Sequence, residues 1–128
     1  MKIYFISNSF KNKNGWKKLC DKILNLDENI LFVEIVLNNR IFIKKNPLYD
    51  FPLPYESNEE YIDKSLGMWT ERKKLSEYFG KPIHSYTKFE KIGRLTLPII
   101  DDGLIVVLIK ETNQEEMLIH KIANELLN

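Results

Sequence analysis

The order in which hydrophobic periods follow one another constrains this chain more than any single motif. Trp16, Leu19, Cys20, Ile23 and Leu24 recur at i, i+3, i+4, i+7 and i+8, the apolar face of a short helix that Asn14 is placed to cap. Ile30 to Leu37 is an almost unbroken β-branched run with Glu34 as its one polar member, the pattern of a central strand covered on both faces. Asn38 and Asn39 supply a tight turn, since asparagine tolerates positive φ, and Arg40 to Lys44 returns as a second strand.

Pro47, Pro52 and Pro54 exclude a regular helix from Asn46 to Glu56, and Leu48, Tyr49, Phe51, Leu53 and Tyr55 make that stretch an extended, apolar loop. Ser57 and Glu60 form a capping box that opens the longest helix, with Ile62, Leu66, Trp69 and Phe79 on one stripe and Gly80 and Pro82 at its end. Ile83 to Lys91 and Arg94 to Ile100 read as two strands that turn at Ile92 and Gly93, the second with Leu95, Leu97 and Ile99 on one face. Asp102 and Gly103 then turn the chain into the apolar strand Leu104 to Ile109. A closing helix starts near Thr112 or Asn113, each followed three residues on by Glu, and buries Leu118, Ile119, Ile122, Ala123, Leu126 and Leu127. The expected architecture is α+β: a central five-stranded antiparallel sheet with helices in the order α-β-β-α-β-β-β-α. A strand-like piece, Met1 to Ile6, and a polar link, Ser7 to Gly15, make residues 1–15 an N-terminal extension to a domain of residues 16–128.

A chain of 128 residues fits one domain with a single core. Nineteen basic and eighteen acidic residues leave a formal net charge of +1, so no whole-chain field favours nucleic acid or an anionic membrane. The basic clusters Lys11 to Lys18 and Arg72 to Lys74 are short and carry no stacking aromatics beyond Trp16, and no nucleic-acid partner is expected. No apolar run approaches the ~20 residues of a membrane span, and Ile3 to Ile6 is too short for a secretory segment. Cys20 is the only cysteine, which excludes an intrachain disulfide and fits a reducing compartment, so a soluble cytoplasmic protein is expected.

No catalytic or metal-binding signature is present, and no cofactor is expected. His84 and His120 are the only histidines, short of the three or four ligands zinc requires. Cys20 lies on an apolar helix face, where a thiol acts as a small hydrophobe. Asp101 and Asp102 are explained by the turn they form with Gly103. The chain has no phosphate loop, dinucleotide fingerprint or nucleophile elbow. Two candidate surfaces remain. Trp69, Arg72 and Lys73 on the long helix, with His84 and Tyr86 on the strand after it, form a candidate partner surface; Trp69 either anchors a partner or packs on the sheet. Arg72 to Lys74, flanked by Glu71 and Glu77, either attract an acidic partner or form a solvated helix face. Tyr49, Phe51 and Tyr55 form a candidate ligand or partner loop that either folds back on the domain or offers its aromatic side chains to another molecule.

The residues that carry a family likeness are the first helix ending at Leu26 with Asp27, the strand pair about Asn38 and Asn39, the long helix, and the run from Tyr86 through Arg94-Leu95-Thr96-Leu97-Pro98 to Leu104-Ile105-Val106-Val107-Leu108-Ile109. In that order they resemble the Roadblock/LC7 family of the profilin-like group. Lys22 to Pro98, above all Leu24 to Phe32 and Phe89-Glu90-Lys91-Ile92, is also similar to an uncharacterised group of archaeal Roadblock-like proteins. The resemblance implies a non-enzymatic module that dimerises by joining sheets edge to edge and packing its long helices together. It implies a scaffold or regulator of small Ras-like GTPases or of other signalling proteins. His84 to Phe89 is then the expected pairing edge, since an unpaired strand is a template for another chain. The alternative is a small-molecule-sensing module of profilin or PAS type, with loop 47–55 closing over a cavity of roughly a few hundred Å³.

Overall fold

The computed structural model describes residues 13–37, 40–48, 59–99 and 102–127. Its elements are α1 (Lys13–Leu24), β1 (Ile30–Leu37), β2 (Arg40–Lys45), α2 (Glu59–Lys73), α3 (Ser76–Phe79), β3 (Ser85–Lys88), β4 (Ile92–Pro98), β5 (Leu104–Lys110) and α4 (Glu115–Leu127). The described strands form one antiparallel sheet in the order β2-β1-β5-β4-β3, so the expected five-stranded α+β architecture is present. The strand-like Met1 to Ile6, the Asn38–Asn39 turn, most of the proline-rich loop and the Ser57 cap lie outside the described residues.

Strand alternation divides the sheet into two faces. Val33 and Ile35 of β1, Phe42 of β2, Leu95 and Leu97 of β4, and Ile105, Val107 and Ile109 of β5 share one face. They pack with Trp16, Leu19, Cys20 and Ile23 of α1 and with Leu118, Ile122, Ala123 and Leu126 of α4. The i, i+3, i+4 spacing of both helices supplies these stripes. On the opposite face Val36 and Leu104 pack with Trp69 of α2, and Leu66 is half-buried beside them. Because β1 and β5 are the inner strands and both faces are covered, their side chains read as continuous apolar runs. Glu34, in the middle of β1, is 1% exposed.

Element boundaries differ from the expected ones at five places, each with a physical cause. Helix α1 begins at Lys13, inside the stretch expected as a link, so Asn14 belongs to the helix rather than capping it. It ends at Leu24, before the expected Leu26, where the Asn25 and Leu26 N–H groups donate to the Asp21 and Ile23 carbonyls; beyond it Asp27 Oδ1 accepts from the Asn29 backbone N–H at 2.9 Å. The long helix is interrupted: Lys74 and Leu75 donate to Glu71 and Arg72 carbonyls, three residues back, which tightens and ends α2 before the single turn α3. Phe79 therefore leaves the expected Ile62–Trp69 stripe and is 79% exposed, and Gly80 follows at φ 81°, a left-handed value that favours glycine. The turn between β3 and β4 falls at Phe89–Lys91, closed by Phe89 N–H to the Ile92 carbonyl, so Ile92 and Gly93 are strand residues and β3 is shorter than expected. Helix α4 starts at Glu115, after the Gln114 N–H has bonded to Thr112 Oγ1, and Leu127 is exposed rather than buried.

Candidate functional site

The residues of the candidate partner surface separate into two groups. Trp69 is 3% exposed and wedged between Val36 and Leu104, so it packs on the sheet. Its indole N–H finds no hydrogen-bond acceptor among the described residues. Arg72, one turn on, sets its guanidinium 5.5 Å from the Trp69 ring centroid, a cation–π contact that keeps the charge half in water. Lys73 reaches round the helix to Asp102, tying the end of α2 to the β4–β5 turn, where Asp102 has φ 60°. Further back along α2, buried Ser65 faces Arg94, whose Nη2 lies 3.5 Å from Ser65 Oγ and whose Nη1 donates to Thr96 Oγ1 at 3.1 Å.

The second group lies at the sheet edge. Among the described strands, β3 is paired on one side, with β4. Tyr86 stands on the face shared with α1 and α4, and its ring runs diagonally over Gly93: a Cβ built on Gly93 would overlap the Tyr86 Oη and Cζ atoms. Burial, then the charge and the hydrogen bond of Glu115, push the Tyr86 phenol upward in pKa. Glu115 also holds Lys88 through Nζ–Oε1 at 3.0 Å, and that hydrogen bond and charge raise the Lys88 pKa. One carboxylate in the first turn of α4 thus holds both half-buried Tyr86 and exposed Lys88 of the edge strand. His84 is exposed in the segment leading into β3, and His120 is exposed on α4.

The interruption after α2 creates a feature the sequence pattern conceals. Leu75, Tyr78, Phe79 and Ile83 are exposed, and together with Met68 they place large apolar side chains from the outer face of α2 to the start of the edge strand. Nothing in the residue pattern marks the break, because it lacks glycine or proline.

Chemistry is not supported elsewhere in the described residues. The Cys20 thiol is buried, 3.8 Å from the Phe42 carbonyl, and its pKa is pushed up to about 12 by burial, then by Asp21 and Glu34, against a lowering effect of Lys44. Such a thiol stays protonated and is a poor nucleophile. Among the described residues no group of three His, Cys, Asp or Glu side chains is placed to hold a metal ion. No described helix is long and apolar enough to cross a membrane. An open depression beside the start of α4, lined by Lys88, Thr112, Glu115 and Met117, is a solvated groove. Tyr49, Phe51 and Tyr55 lie outside the described residues, and Leu48 before them is 91% exposed.

No family model matches the chain, and no curated protein matches it by sequence. Solved structures do match its fold. The gliding protein MglB of Thermus thermophilus is similar with a TM-score of 0.66 at 10% identity, over 98% of this chain and 93% of that one. A structure of MglB with a tetrameric arrangement gives 0.68 at 9% identity, over 99% and 95%. A Roadblock/LC7 domain from Streptomyces avermitilis gives 0.64 at 9% identity, over 86% and 90%. The chain has the Roadblock/LC7 fold. The likeness to the MglB structures covers nearly the whole chain. The sequence resemblance, drawn from element order and short strings, and the structural likeness agree on that fold.

Proposed function

We propose that this chain is a non-enzymatic regulatory scaffold that works in the cytoplasm as a homodimer and takes a small Ras-like GTPase as its partner. The observation that carries the reading is the Roadblock/LC7 fold, shared over nearly the full chain with a gliding protein and with a structure described as tetrameric. Two features of the chain's own surface support it. Among the described strands β3 pairs on one side, with β4, and its other edge lies beside polar Ser85 and Thr87, as strand addition needs. The apolar side chains of Met68, Leu75, Tyr78, Phe79 and Ile83 lie exposed close by in sequence, and exposed apolar clusters of this kind mark interaction sites. Of the candidate partner residues, Arg72, Lys73 and His84 sit at this surface, whereas Trp69 and Tyr86 support it from within.

The test is binding of purified small Ras-like GTPases from the same genome, each loaded with GDP and with a non-hydrolysable GTP analogue. Saturable binding that prefers one nucleotide state, and is lost when Tyr78 and Phe79 are both replaced by Ser, is the expected result. Absence of binding by every GTPase in both states removes the partner from the proposal. The small-molecule alternative rests on loop 47–55, of which Pro47 and Leu48 are described, and no described feature favours it.

A further inference from the structure

The two edges of the described sheet are unlike. β3, at one edge, is four residues long and polar but for Tyr86, whereas β2, at the other, is six residues long and centred on Ile41, Phe42 and Ile43. A long apolar edge is a template for aggregation unless something covers it. Phe42 is buried, and Ile41 and Ile43 are half-buried. The Asn46 N–H donates to the Leu31 carbonyl at 2.9 Å, which makes those residues a hydrogen-bonded pair of the ladder. Such pairs recur at every second position of antiparallel strands, so Arg40, Phe42 and Lys44 face β1 and the backbone groups of Ile41 and Ile43 point away from it.

We propose that Ile3 to Ile6, outside the described residues, pairs antiparallel with this open side of β2 as a further strand of the same sheet and caps it against a second copy. Ile3, Tyr4, Phe5 and Ile6 are β-branched and aromatic throughout, as strands favour. Helix α1 packs on β1 and β2 and ends beside the start of β1, so its first turn lies toward the hairpin end at Leu37 and Arg40. Cys20 against Phe42 and Asp21 against Lys44 fix the same direction. Ser7 to Asn12 leads into that first turn and spans up to about 20 Å, enough to descend the roughly 10 Å between layers to the β2 edge. The far edge, beyond β3, lies about 19 Å across the sheet from β1 and past α4, out of that reach. The added strand runs toward Arg40, parallel to β1, and forms a crossover with α1 and β1. The crossover from β2 through α2 to β3 moves the same way across the sheet, but over the opposite face and between strands of opposite direction. Those two reversals cancel, so both crossovers share the right-handed sense that such units adopt. With β2 capped, pairing through the β3 edge closes at two copies, whereas two open edges propagate without end.

The capping role rests on the homodimer proposed above, while the strand itself does not, and the experiment separates them. Residue-resolved amide hydrogen exchange by NMR, at several protein concentrations, compares wild type with a variant lacking Lys2 to Ser9. The Ile41 and Ile43 amides of wild type are expected to exchange at least about a hundredfold more slowly than those of the variant, at rates independent of concentration. Overhauser contacts between the Hα atoms of Ile3 to Ile6 and those of Ile41 to Ile43 are expected in wild type and need no variant. Successive N–H groups of a strand alternate in direction, so at least one of Tyr4→Pro and Phe5→Pro must break a ladder bond and lose the protection, with circular dichroism confirming the fold. Fast exchange at Ile41 and Ile43 in wild type overturns the strand. Protection that rises with concentration overturns it too, since a second copy then covers the edge, and so does protection that survives both proline variants. The shortened variant is expected to sediment as species larger than a dimer, and one that loses protection yet stays dimeric overturns the capping role. A wild type that is monomeric at every concentration, with both amides protected, removes the homodimer and the capping role and leaves the strand.

Discussion

The two faces of the sheet differ in what holds them. Under α1 and α4, side chains from β1, β2, β4 and β5 meet two amphipathic helices in a continuous apolar layer. Under α2, the described packing is a small cluster of Val36, Leu104 and Trp69, flanked by polar Ser65, Arg94 and Thr96 and by the buried Glu34 of β1. The first arrangement contributes stability through area removed from water. The second leaves much of its helix exposed, and that helix carries Met68, Gly67 and the charges around them. One side of the sheet holds the domain together, and the other carries the surface proposed to meet a second molecule.

Truncation in the two layers sharpens this contrast most strongly. Ile105→Ala, in the α1–α4 layer and fully buried, is expected to destabilise by roughly 2 to 5 kcal/mol, and Leu66→Ala, half-buried on the α2 side, by about 1 kcal/mol, read from urea midpoints. Equal losses would break the comparison. Next in size is the Tyr86–Gly93 pair. Gly93→Ala forces the Tyr86 ring out of its place across β4 and should cost about 1 to 3 kcal/mol. Adding Tyr86→Ala should bring a much smaller further loss, and a double-mutant cycle without coupling would show that the ring is not what Gly93 accommodates.

Cys20 tests the dryness of the first layer. Its pKa rises from 9.0 to about 12 on folding, so the folded chain keeps a proton that the unfolded chain loses between those values. Stability from this group is complete below pH 9 and falls as pH rises toward 12, by up to about 1.4 kcal/mol per unit. The wild type should lose stability relative to Cys20→Ala between about pH 9 and 11, and parallel curves for the two would mean that the thiol is not buried as described. The smallest effect belongs to the α2 side. Lys73→Ala breaks the contact with Asp102, but both side chains are well exposed, and a loss of at most about 1 kcal/mol in thermal unfolding is expected. A larger loss would make the α2 face a structural layer like the other.

What was legible in the sequence follows the same division. The stripe from Trp16 to Leu24 and the unbroken runs of β1 and β5 announce burial directly, because period and composition are set by packing. Positions set by local backbone bonds were not legible. The break at Lys74 and Leu75 uses carbonyls three residues back and no glycine or proline, so Phe79 read as a core residue when it is exposed. Gly93 read as part of a turn because glycine is common there, whereas its role is to leave room for the Tyr86 ring. The candidate surface was half visible. Trp69 and Arg72 stand out by residue type, but only coordinates show that Trp69 faces inward and that Gly67 faces open space.

The most direct test of the central claim is the solution mass of the 128-residue chain by light scattering over a wide concentration range. A stable species of twice the 15.2 kDa chain mass is the predicted result. A wild type that stays at the mass of one chain at every concentration would contradict the scaffold account, since the exposed face of α2 would then have no second copy to meet.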